Sequence, residues 1–238
     1  MKGDETRERI KLAARRLFAE RGVDGVSIRE IVAAARQRNV GSLHYYFRTK
    51  EALVRELVID GTKAIDDRRN VMLDGVARSG RPVTLRDVIE ALVWPSVSPG
   101  GEESGEDTYM RFIVSLLINH RALYVSALEG CRRSGYERCL AHIRDLLPHV
   151  PEAILDQRLV FLRIYLGAAM TARESAFNGG GGRVFWMPRS TMEHFIDTIE
   201  AMLDAPVYAR AETVDGRMPG RPAFADAPLH PSTMLAGG

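Results

Sequence analysis

The stretch Ser27–Phe47, "SIREIVAAARQRNVGSLHYYF", decides the fold. Its first four residues, Ser27-Ile28-Arg29-Glu30, spell a capping box: the serine hydroxyl satisfies a free backbone N–H of the first helical turn, and the glutamate reaches back to the amide of the serine. Val26 and Ile31 supply the accompanying hydrophobic staple, so a helix is predicted from Ser27 to about Ala35. Arg36, Gln37, Arg38 and Asn39 then interrupt the apolar pattern, and Asn39 is a good N-cap for a second helix. This short helix runs from there to Phe47. At about 100° per residue, Val40, Leu43, His44 and Phe47 gather on one side, with Gly41, Ser42 and Tyr45 opposite and Asn39 and Tyr46 towards the edges. The inward side anchors the helix. The outward side is small, polar and aromatic.

Upstream, Ile10, Ala14, Leu17 and Phe18 recur at helical spacing between Thr6 and Arg21, and Gly22 ends that helix. Downstream, Thr49 caps a longer helix from Lys50 whose Leu53, Val54, Leu57, Val58 and Ile65 form an inward stripe. Two short helices joined by a tight turn make a helix-turn-helix, which lays its second helix in the major groove of DNA. The residue types suit that task. Gly41 and Ser42 let the backbone approach base edges, while Gln37, Arg38 and Asn39 place donors at the leading end of the helix. Tyr45 offers a ring to a thymine methyl and a hydroxyl to phosphate, and Lys50 meets the backbone across the groove. Ser27 and His44 complete the candidate DNA-contacting set. Charge agrees: residues 1–55 carry 13 Lys and Arg against 7 Asp and Glu, whereas the remainder carries 20 against 24.

Beyond residue 50 the pattern predicts helices over 50–78, 84–95, 106–120, 121–147, 152–177 and 189–204, separated by connections such as "SGRP", "PSVSPGGEESGED" and "NGGGGRVFWMP". Alternating β-branched strands are absent, so the expected class is all-α. The expected organisation is a DNA-binding domain over 1–50, a helical domain over 51–205 and a mobile tail over 206–238. No apolar run reaches the roughly 18–20 residues that span a bilayer, and two cysteines do not make a disulfide framework, so a cytoplasmic protein without membrane contact is expected. Cys131, Cys139, His142 and His149 lack the spacing of a metal site, and "NGGGGR", Asn178 to Arg183, lacks the Lys-Ser/Thr of a phosphate loop and reads as a flexible connection. No nucleophile or acid–base set converges in the pattern. A non-enzyme with no metal and no cofactor is expected.

From Ile10 to Leu57 the chain resembles the N-terminal domain of TetR-family transcriptional regulators. "LFAERGVDGVSIREIVAAA", "LHYYF" and "TKEAL" are similar to that family's Gly-x-x-x-Ser/Thr, Ile-Ala, Leu-Tyr-x-His-Phe and Lys-Glu-x-Leu. Three departures stand out: "ARQRN" replaces Ala-Gly-Val-Ser in the turn and lengthens it by one residue, the turn has no glycine, and His44 and Tyr46 exchange the usual Tyr and His. The longer turn either bulges or delays the third helix, and the phosphate contact of that Tyr passes to His44, to Tyr45 or to neither.

The resemblance implies a three-helix reading head and a C-terminal helical bundle for dimerisation and ligand binding. It implies a homodimeric repressor released from a palindromic operator in double-stranded DNA by a small apolar effector. Dimerisation falls to helices 152–177 and 189–204; in the first, Ala153, Leu159, Leu162, Leu166, Gly167, Ala169 and Met170 mix large and small residues, with packing inside one chain as the alternative. Trp94, Tyr109, Phe112, Tyr124, Phe161, Tyr165, Met170 and Phe177 are candidate walls for the effector cavity, with His120 and Arg121 as polar groups to orient a ligand. A second reading remains open, in which the chain is a helical interaction module that has lost specific DNA reading.

Overall fold

A computed structural model describes residues 2–37, 39, 41–97 and 108–207, and every regular element among them is helical. α1 (Lys2–Arg21) buries Ile10, Ala14 and Phe18 and stops where Gly22, at φ +72°, donates its N–H to the Phe18 carbonyl at 2.9 Å. It begins four residues earlier than the apolar stripe predicts. Its first turns lie beside the third helix, with Arg7 over the Phe47 ring at 5.4 Å. α2 (Ile28–Ala34) carries the capping box as read: Glu30 N–H donates to Ser27 Oγ at 3.3 Å and Ser27 N–H to Glu30 Oε2 at 2.8 Å. α3 (Gly41–Phe47) is preceded by Asn39, whose Oδ1 accepts from Gly41 N–H at 2.8 Å. α4 (Lys50–Arg78) is capped by Thr49, whose Oγ1 accepts from Ala52 N–H at 3.1 Å.

A second capping box, Thr84 with Asp87, starts α5 (Leu85–Val93), and Arg81 grips Asp87 with both nitrogens at 2.6 and 2.5 Å. The chain continues through α6 (Tyr109–Asn119), α7 (Arg121–Leu128), α8 (Ser134–Leu146), α9 (Glu152–Ser175), α10 (Arg183–Trp186) and α11 (Arg189–Leu203). The single helix expected over 121–147 is therefore two. The chain breaks at Gly130, at φ +74°, and restarts where Asp66 of α4 accepts Gly135 N–H at 3.0 Å and Tyr136 N–H at 2.8 Å. The connection read as flexible after Asn178 contains the short α10. The tail expected to be mobile lies, from residue 208 onward, outside the described residues.

Two cores form. The first joins α1, α2, α3 and the start of α4 to α6 and α7, with Phe18 stacked on Phe112 at 6.0 Å. The second joins the far end of α4 to α5, α8, α9 and α11. α4 is thus the beam common to both. Polar links secure it to α1: Lys11 reaches Glu56 at 2.9 Å and Asp60 at 2.5 Å. Burial alone would lower the Lys11 pKa, but hydrogen bonds to Asp60, Glu56 and Glu8 raise it above its ordinary value. At the other end Arg158 donates to the carbonyls of Leu203 and Ala205, both at 2.6 Å, and so satisfies the terminus of α11.

Candidate nucleic-acid interface

The turn between α2 and α3 accommodates its extra length without a glycine. Arg36 takes φ +55°, its N–H donates to the Ala33 carbonyl and that of Gln37 to the Val32 carbonyl, both at 2.9 Å. That pair of bonds is a Schellman closure, with arginine in the left-handed position that glycine normally fills. Gln37 folds back, its Nε2 donating to the Ala35 carbonyl at 3.2 Å. Helix α3 then opens at Gly41, where a Cβ would stand 3.2 Å from Asn39 Oδ1, so a side chain there would crowd the cap. Arg38, a candidate DNA contact, and Val40 lie outside the described residues.

On α3, Leu43 and Phe47 are buried in the first core and Tyr45 is 82% exposed. Gly41 is exposed and Ser42 half-buried. The helical wheel is corrected at one position: His44, placed inward from sequence, is exposed, and Tyr46 packs partly against the core in its stead. The cause is local, because His44 Nδ1 lies 2.7 Å from the Arg48 carbonyl and ties down a residue at φ +63°. That contact requires the proton on Nδ1, which leaves Nε2 as the acceptor of the neutral ring. Tyr46 supports Tyr45 edge-on, their rings 5.0 Å apart at 85°.

The remaining candidates, exposed Ser27 and half-buried Lys50, are structural as well. Ser27 Oγ donates to Glu30 Oε2 at 2.7 Å, and Arg21 pairs with Glu30 Oε1 at 2.7 Å. The backbone N–H of Ser27, its hydroxyl and then Arg21 hold the Glu30 carboxyl down at about 2. Lys50 Nζ donates to the carbonyls of Val23 at 3.0 Å and Val26 at 3.2 Å, which pins the α1–α2 turn just ahead of Ser27.

A cavity of about 190 Å³ lies between α4, α5, α6, α7, α8 and α9. Of the aromatic residues proposed from sequence, Tyr109 and Tyr124 line it. Phe112 belongs to the first core, Met170 to the second, and Trp94 sits under Arg189 at 5.6 Å. Phe161 is exposed, Tyr165 bonds Thr198 at 3.0 Å, and Phe177 lies beneath Arg173 at 4.9 Å. His120 is turned away from the cavity, its Nε2 3.3 Å from Asp24 in the α1–α2 turn. Of the α9 residues read as a dimer surface, Leu162, Leu166 and Gly167 wall the cavity, while Leu159 and Met170 are buried in the second core. Sequence reasoning missed Arg69, Arg133, Tyr136 and Arg163, all of which line the cavity. Burial raises the pKa of Tyr109, Tyr124 and Tyr136 and lowers that of Arg69. Among the described residues no three His, Cys, Asp or Glu side chains gather as metal ligands, and no helix is long and apolar enough to cross a membrane.

Residues 10–57 match the family model described as "Bacterial regulatory proteins, tetR family", the same stretch over which the sequence resemblance runs. Among solved structures, the TetR family transcriptional regulator PfmR from Thermus thermophilus is similar with a TM-score of 0.51 and 16% identity, over 85% of this chain and 97% of that one. This likeness is one of fold. A putative TetR-family transcriptional regulator from Mesorhizobium loti has a TM-score of 0.48 and 21% identity, over 85% of this chain and 97% of its own. The probable transcriptional regulatory protein RHA5900 has a TM-score of 0.48 and 23% identity, with 85% and 99% covered. No curated protein matches the sequence.

Proposed function

We propose that this chain, whose residues 10–57 match the family model of tetR-family bacterial regulatory proteins, acts as a dimeric, ligand-responsive transcriptional repressor. The observation that carries the reading is α3: a short helix fixed from beneath by Leu43 and Phe47, with Gly41, His44 and an 82% exposed Tyr45 on its outer side. A rod of this kind enters a major groove. Ser27, Gln37, Arg38, Asn39, Gly41, Ser42, His44, Tyr45 and Lys50 are its proposed DNA contacts, Lys50 doubling as the clasp of the α1–α2 turn. Two such heads, related by a dimer axis through α9 and α11, read the halves of a palindromic operator. The effector binds the cavity among α4–α9 and favours a spacing of the heads that no longer fits the site. The family assignment points to regulation rather than catalysis.

Retardation of promoter DNA by the purified protein tests this. Binding is expected to be sequence-specific, to weaken steeply as salt rises, and to lose its specificity in the Arg38→Ala/Tyr45→Ala variant. Unchanged specific binding by that variant refutes the proposed contacts, and failure to retard any promoter fragment leaves the interaction-module reading in its place.

A further inference from the structure

The charge on the cavity wall is one-sided. Arg69, Arg133 and Arg163 line it together with Tyr109, Tyr124 and Tyr136, and no Asp or Glu is among the described lining residues. Arg69 is the distinctive member. Its Nε is sealed from solvent and has no hydrogen-bond partner among the described residues, and its guanidinium lies 5.4 Å over the Tyr136 ring. Arg69 is half-buried on the cavity wall, and burial acts against its charge. Asp66, one turn earlier on α4 and the carboxylate whose charge acts on Arg69, is already engaged by the N–H groups of Gly135 and Tyr136. Nor can the wall relax away from the problem: a Cβ on Gly135 would stand 2.9 Å from Arg69 Cβ, so α8 is pressed against the stem of this side chain.

Half-buried as Arg69 is, an arginine on a largely apolar cavity wall favours an anion that can pair with it. The rest of the cavity says what the arriving molecule looks like. Leu92, Ile113, Leu117 and Leu162 make the remaining wall apolar, and a volume of about 190 Å³ is below the roughly 300–1,000 Å³ of pockets for drug-sized ligands. We propose that the cavity binds a small organic carboxylate with an apolar body, its two oxygens gripped by the terminal nitrogens Nη1 and Nη2 of Arg69 and its body laid among the leucines and tyrosines. This rests on reading the cavity as the effector site, and it adds a negative charge to the small apolar effector expected from sequence.

The test titrates the full-length protein with sodium benzoate and sodium hexanoate, and with benzamide and hexanamide as neutral shapes, by calorimetry and melting temperature. At least one acid is expected to bind and to raise the melting temperature, with its amide at least about tenfold weaker. Arg69→Met is expected to weaken acid binding roughly ten- to a hundredfold, to leave the amides unaffected, and to melt at or above the wild-type temperature without ligand. Arg69→Lys, which keeps the charge but loses the two-pronged donor, recovers part of the affinity. Amides that bind as well as acids, the absence of acid binding, or equal acid binding by wild type and Arg69→Met each overturn the proposal. Promoter retardation without any acid is scored separately, so that DNA binding without acid binding removes this inference alone, and acid binding without DNA binding removes the regulator reading alone.

Discussion

Arg36 shows how far a single backbone angle separates this reading head from the pattern it resembles. The left-handed region costs a non-glycine residue roughly 1–2 kcal/mol, and here the residue that occupies it, at φ +55°, is an exposed arginine. The strain persists because the two Schellman bonds to Ala33 and Val32 close α2 only in this conformation. Arg36→Gly removes the strain but frees the unfolded chain, an effect of about 0.4–1 kcal/mol, so a net stabilisation of about 0.5–1 kcal/mol is expected. Chemical denaturation checks it. Arg36→Val, β-branched and intolerant of positive φ, is expected to shift the midpoint the other way. If glycine destabilises the protein, the closure described here is not the conformation the turn adopts.

Whole helices were legible in the sequence wherever their caps are local. Gly22, the Ser27–Glu30 box, Asn39 and Thr49 are each within a few residues of the terminus they close, and α2, α3 and α4 begin within two residues of where those signals put them. The end of α7 is marked locally by Gly130, at φ +74°, but the restart of α8 was not legible, because the carboxylate that starts it is Asp66, 69 residues before Gly135. Likewise Glu174 of α9 starts α6, accepting from Met110 N–H at 2.7 Å and Arg111 N–H at 2.8 Å across 64 and 63 residues. The candidate site divides in the same way: Leu43, Phe47 and Tyr45 follow from helical register, whereas Arg69 sits in "DDRRN", a run that reads as a solvated face. Only the packing of α8 turns that run into a cavity wall. The Ser27–Glu30 cap also carries a pH signature. Its carboxyl is lowered from 4.5 to about 2, so the stabilisation is fully present above 4.5 and is lost as pH falls towards 2. Melting temperature followed from pH 6 to pH 2 is expected to fall more steeply for the wild type than for Glu30→Gln, which keeps the amide geometry without the charge. Parallel curves would place the acid sensitivity elsewhere.

Across the whole molecule, α6 ties the cavity to the N-terminal helices. Tyr109, on the cavity wall, donates to the Val58 carbonyl at 3.1 Å and lies 3.2 Å from Thr62 Oγ1, closing on Gly61 so tightly that a Cβ there would meet the ring at 2.0 Å. One turn on, Phe112 stacks on Phe18 of α1. In the proposed mechanism, a ligand pressing on Tyr109 acts on both α4 and the N-terminal helices through packed side chains rather than through a loop. In that mechanism such a displacement affects operator binding only if two heads are held in register, and α9 carries an exposed face suited to it. Ala153, Gln157, Phe161, Ile164, Tyr165, Ala168 and Ala172 are exposed at helical spacing along its length, with Phe161 at 55% and Ile164 at 58%. Tyr165 joins this stripe to α11 through Thr198 and the Phe195 ring, 4.8 Å away. An apolar stripe of this extent, with small residues at both ends for close approach, suits a twofold partner better than water. Phe161→Glu/Ile164→Glu puts like charges across that axis without touching either core. Sedimentation at micromolar concentration is expected to show a folded monomer, and operator affinity to fall roughly a hundredfold or more, since two linked heads gain about 10²–10⁴ over one. A variant that still sediments as a dimer moves the interface off α9, and one that becomes monomeric yet binds the operator unchanged shows that a single head suffices.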